Sequence, residues 1–136
     1  MNIVETDYWC LMLPSEWSAE QEDGIVLITD QDGIGELAIT TLVGESGDSD
    51  GSKIVEIANE ESPEVRAWSA VKMGAFSGIT GQFTAEGSVL NEWYLGREAA
   101  LLYCTYTCDV EDDGLDIAPV EDILGSLVAG DGLLAD

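Results

Sequence analysis

Short apolar runs separated by clusters of glycine, aspartate and serine set the rhythm of this chain, and most are too short to be helices. The first, "YWCLML" at 8–13, is closed by Pro14 and reads as the opening strand of a meander, with Trp17 folding back on it. In "DGIVLITDQDGIGELAITTLVG", Ile25–Thr29 and Glu36–Val43 flank a turn rich in aspartate and glycine, the signal of a hairpin. The tract "GESGDSDGS" (44–52) is a solvated loop whose serines and aspartates suit a helix cap. The segment after it, "KIVEIANEE", sets Ile54, Ile57 and Ala58 on one face, which predicts a short amphipathic helix. Pro63 either ends that helix or opens a further helical turn after Ser62.

Beyond Ala67 the pattern returns to strands. "AVKMGAFSG", "ITGQFTAEG", "SVLNEWYLG" and "EAALLYCTYTCDV" are broken by glycine or glycine-containing turns and fit four successive antiparallel strands. In the last, Leu102, Cys104, Tyr106 and Cys108 share one parity, while Tyr103, Thr105 and Thr107 share the other, so one face is the more apolar. Val120, Ile123, Leu124, Leu127 and Val128 then recur at helical spacing and predict a C-terminal helix packed on the sheet. The expected fold class is α+β: an antiparallel sheet of about six or seven strands, one inserted helix and one C-terminal helix, in a single domain over residues 1–136.

This order resembles the α/β/α sandwich shared by the photosystem subunit PsbP, the Ran-binding nuclear import factor and the adaptor chaperones of bacterial type VI secretion. The resemblance is carried by "LMLPSEW" (11–17), "GIVLITDQDGIGELAIT" (24–40), and "NEWYLGREAALLYCTY" (91–106) leading into "VEDILGSL" (120–127). These are fold-forming patterns, not catalytic signatures. The resemblance implies a PsbP-like sandwich whose relatives bind proteins without catalysing a reaction; no transit segment is read here, so a photosynthetic role is not expected.

Charge narrows the partners. Against 28 acidic residues stand four basic ones, Lys53, Arg66, Lys72 and Arg97, for a formal net charge of −24. Such a surface repels phosphate backbones and anionic lipid, so neither nucleic acid nor a membrane is expected as partner. It favours solubility and attracts basic proteins. Three cysteines are too few for a disulfide scaffold, the acidic "MNIVETDYW" lacks the basic region of a secretory signal, and the run at 8–13 is too short to span a bilayer. A cytoplasmic protein is expected.

The chain has no histidine, which removes Ser-His, Cys-His and His-metal chemistry; no enzyme and no cofactor are expected. "GIGEL" carries Gly33 and Gly35 but Ala38 where a third glycine belongs, and a strand follows, so these glycines form turns. "DVEDDGLDIAPVE" imitates a calcium loop with Asp109, Glu111 and Asp113 ahead of Gly114. Position twelve, however, is Val120 and not glutamate, and Pro119 interrupts, so no metal site is expected and Asp116 is read as a helix cap. Cys104 and Cys108, four residues apart on a strand, stand roughly 13 Å apart and cannot share one zinc. The candidate partner-binding residues are Trp93 and Tyr94, on opposite sides of their strand, and Glu111, Asp112, Asp113 and Asp116 of the acidic loop. The expected function is a protein-binding module or adaptor chaperone that holds a partner segment, possessing apolar helices or basic charge, in a groove between sheet and helix. The alternative is an acidic inhibitor or immunity protein neutralising a basic toxin or nuclease.

Overall fold

The structure is a computed structural model that describes residues 2–22, 24–31, 33–43, 51–97, 100–112 and 117–130, without the side chains of 43 and 51–53. In chain order the strands are β1 (Asn2–Glu5), β2 (Trp9–Leu13), β3 (Trp17–Glu22), β4 (Ile25–Asp30) and β5 (Gly35–Val43). Helix α1 (Gly51–Glu61) comes next, then β6 (Ser69–Met73), β7 (Phe76–Ala85), β8 (Ser88–Arg97) and β9 (Ala100–Asp109). A 3-10 turn (Val110–Asp112), α2 (Ile117–Gly125) and β10 (Val128–Ala129) complete the chain. Seven strands form the main sheet in the order β3-β4-β5-β9-β8-β7-β6, with every neighbouring pair antiparallel. The fold is α+β, as the hydrophobic pattern predicts.

A correction concerns the opening strand. Residues 9–13 do form a strand, but it pairs with β1 and β10 in a separate three-stranded sheet and does not join the meander. Strand β2 buries Trp9, Leu11 and Leu13 on one side and leaves Met12 exposed on the other. That buried side packs against the main sheet, and the Trp9 indole Nε1 donates to Thr41 Oγ1 of β5 at 2.8 Å, tying the two sheets together. The edge of the meander is instead β3, which begins at the buried Trp17 and pairs with β4 over its whole length. Its "WSAEQE" lacks an apolar run because an edge strand lined with acidic residues needs little core contact.

A second correction is a boundary. The run "AVKMGAFSG" is two strands, since Gly74 takes a left-handed φ of 62° and turns β6 back onto β7 in a two-residue hairpin closed by Met73 and Phe76. Strand β7 therefore starts at Phe76 and runs unbroken to Ala85, taking in most of "ITGQFTAEG".

The small sheet and α2 cover one face of the main sheet, the inner face, over a core that includes Ile28, Leu37, Ile39, Leu95, Leu102, Cys104 and Tyr106. Helix α2 contributes Val120, Ile123 and Leu124, and Pro119 sits in its first turn, where a missing N–H is harmless. On the outer face α1 lays Ile54 and Ala58 over Ile79, Tyr94 and Leu101. Burying an isoleucine or leucine side chain of this kind contributes roughly 1.5–3 kcal/mol of transfer free energy. No helix among the described residues is long and apolar enough to cross a membrane.

Candidate functional site: a groove beside α2

Strands β6, β7 and β8 run past the cover that α2 provides, and the uncovered end of their inner face becomes the floor of an open groove of about 760 Å³. The floor is polar because the alternation that buries Val89 and Leu95 on β8 places Asn91 between them, opposite Gln82 of β7. Gln82 Nε2 donates to Asn91 Oδ1 at 3.1 Å, and Thr80 Oγ1 donates to the Glu92 carbonyl at 2.9 Å. Met73 of β6 and Ile117 of α2 form apolar walls. Arg66, one of the four cations of the chain, also lines the groove, together with Glu64 and Glu121.

Of the residues singled out by sequence, Trp93 reaches this floor, yet only 2% of it is exposed, so the groove meets an edge of the indole and no more. Tyr94, also 2% exposed, lies on the opposite face beneath α1. Glu111 and Asp112 occupy the 3-10 turn after β9, where the Val110 amide donates to the Gly87 carbonyl at 2.9 Å. Asp113 and Asp116, with Gly114, lie outside the described residues. The structure thus brings Trp93 and Tyr94 to different surfaces and both into the core. Arg66, Gln82, Asn91 and Ile117 were not singled out by the sequence. The only signal for them was the shared parity of Asn91 and Trp93 in "NEWYL".

A buried polar cluster lies under α1. Glu92, 3% exposed, accepts a hydrogen bond at Oε2 from the Tyr103 hydroxyl at 2.5 Å, while Ser62 Oγ and the Tyr94 hydroxyl share one at 2.8 Å. Trp68 meets Tyr94 edge to face with centroids 5.5 Å apart, and Tyr94 tilts against Tyr103 at 4.8 Å. Glu92 Oε1 and Trp68 Nε1 have no hydrogen-bond partner among the described residues. Burial pushes both phenols above the ordinary tyrosine range, and for Tyr103 the bond to the Glu92 carboxylate adds to it. Burial also pushes the Cys104 thiol up. These groups are therefore held protonated and are poor nucleophiles. The described residues contain no cluster of three metal-ligating side chains.

No protein-family model and no curated protein sequence matches the chain. Solved structures do. A protein from Bacteroides thetaiotaomicron is similar with a TM-score of 0.66 and 21% identity over 89% of this chain; that match spans 44% of the other chain, so this chain covers less than half of that protein's length. The solution structure of the cyanobacterial PsbP of Synechocystis is similar over 94% of this chain and 91% of its own, with a TM-score of 0.56 and 11% identity. The fold is PsbP-like. LpqN of Mycobacterium tuberculosis, described as involved in cell envelope biogenesis, is similar with a TM-score of 0.57 and 15% identity over 90% of this chain and 83% of its own. At these identities the PsbP-like resemblance concerns architecture, and function has to be argued from the groove and the surface of this chain.

Proposed function

We propose that this chain is a cytoplasmic, non-enzymatic protein-binding module of the adaptor or chaperone kind, which holds a segment of its partner in the groove beside α2. The observation that supports this is the groove itself: a preformed concavity of about 760 Å³ with apolar walls and a floor of amide and hydroxyl groups. Such a lining offers both desolvation and hydrogen bonds to a peptide. The absence of histidine from the sequence weighs against acid-base chemistry there. The test is capture from host lysate at moderate salt by the tagged protein and by Gln82→Trp, which fills the groove from an exposed floor position. A protein retained by the wild type and lost by the variant supports the reading; equal capture by both removes the groove from consideration.

A second reading, an acidic inhibitor of a basic toxin or nuclease, is favoured by the net charge of −24. Association of that kind slows steeply between low and high ionic strength, whereas seating of an apolar segment in the groove barely changes.

A further inference from the structure

Strands β4 and β5 carry apolar residues on both faces. Val26, Ile28, Leu37 and Ile39 fill the inner core, and of the alternate positions that point outward Ile25, Leu27, Ala38 and Leu42 are apolar, with Thr29, Glu36 and Thr40 between them. The unbroken apolar run Ile25–Ile28 of β4 is of the kind found in strands covered on both sides, whereas a strand with one wet face alternates apolar with polar. Here the outer side is open: Ile25 is 39% and Leu42 49% exposed, and Leu27 lies half-buried in register with Ala38. Helix α1 sits farther along the same face, on β7 and β8. Strands stand roughly 4.8 Å apart, so a helix on β4 and β5 would lie about three strands, or roughly 14 Å, from α1, beyond the roughly 8–10 Å of packed helices and therefore free of it.

The margin of this patch is acidic. Glu20 and Glu22 of β3 and Glu36 of β5 share its face and are exposed, and the chain has no lysine or arginine before Lys53. We propose that the outer face of β3, β4 and β5 is a docking surface for a cationic amphipathic helix of a partner protein, its apolar stripe on Leu27 and Leu42 and its lysines or arginines on the three glutamates. Charge complementarity selects this occupant. A second copy of the chain would bring another −24 onto the same acidic margin, and residues 44–50 and 131–136 contain acids and no bases. The surface is separate from the groove and stands or falls independently of it.

The test is a titration of the isotope-labelled full chain, in 150 mM salt, with an 18-residue leucine–lysine peptide that forms an amphipathic helix, and with a scrambled peptide of the same composition. The expected result is amide shift changes centred on β4 and β5 with the amphipathic peptide alone. The triple reversal Glu20→Lys, Glu22→Lys, Glu36→Lys should weaken binding at least tenfold. An equal reversal at Glu5, Glu60 and Glu86, also exposed, should weaken it less than threefold. Shifts that avoid β4 and β5, or equal losses in the two triple variants, overturn the proposal in favour of net charge alone. A dimer in sedimentation that dissociates on Leu42→Lys overturns it in favour of a second copy.

Discussion

Glu92 and Tyr103 face each other across β8 and β9 one pair removed from direct register, and their hydrogen bond is the means by which a carboxylate is kept in a nearly dry site. Only one carboxyl oxygen of Glu92 is bonded within the described residues, so Tyr103→Phe leaves a buried carboxyl group without a bonded partner among them and costs about 1–3 kcal/mol. Tyr94, Tyr103 and Cys104 supply a separate signature. Each has its folded pKa raised above its ordinary value, 10 for the phenols and 9 for the thiol. Below pH 9 folded and unfolded states are protonated alike at all three, and their contribution is fully present. Above it the unfolded chain releases protons that the folded chain retains, so stability falls as pH rises, by at most about 1.4 kcal/mol per pH unit for each group. Urea denaturation between pH 8 and 11 is expected to show a plateau and then this decline, shallower in Tyr103→Phe. A stability that stays level to pH 11 would show that these groups titrate alike in both states.

At the scale of elements, local chemistry decides some features and distant partners decide others. The aspartate-glycine turn between β4 and β5, the alternation of Leu102, Cys104, Tyr106 and Cys108, and the stripes of α1 and of α2 as far as Leu124 are legible in the sequence because each depends on neighbours a few residues away. Val128, expected on the helix, instead lies exposed in β10 because α2 ends at Gly125. Strand β3 is illegible because its pairing with β4 compensates for a weak strand composition, and β10 because two residues carry no periodicity. The groove escapes for a related reason. Its floor and walls come from four separate stretches, 64–73, 80–85, 91–93 and 117–121, which only the folded topology brings together. Gly74 shows the ambiguity of a glycine within an apolar run, which either continues a strand or ends it. Its φ of 62° is strained for other residues, and a Cβ there would collide with the Leu127 carbonyl, which already accepts from the Ala75 amide at 2.8 Å. Gly74→Ala should therefore lower the urea midpoint by the equivalent of about 1–3 kcal/mol, because it strains both the turn and its seat against the end of α2. A loss under 0.5 kcal/mol would mean that this seat yields easily.

For the whole molecule, the net charge of −24 acts on folding and on association with opposite signs of salt dependence. Within the folded chain, like charges are gathered at separations comparable to the Debye length, about 10 Å at 0.1 M salt, and unfolding spreads them apart. Self-repulsion therefore destabilises the compact state most at low ionic strength. Raising NaCl from 10 to 500 mM should raise the melting temperature, on the order of 5 °C for a domain of this size, while the same salt slows capture of any basic partner. Choline chloride distinguishes screening from cation binding, because it screens as sodium does but cannot enter a carboxylate site. Equal gains in the two salts mean that the acidic surface acts as a diffuse field. A gain with sodium that choline fails to reproduce means that some of the 28 carboxylates are gathered into a cation site. In the first case the three outer-face glutamates differ from the other acids only through the apolar patch beside them, which makes Leu27 and Leu42 the positions that decide where a cationic helix rests.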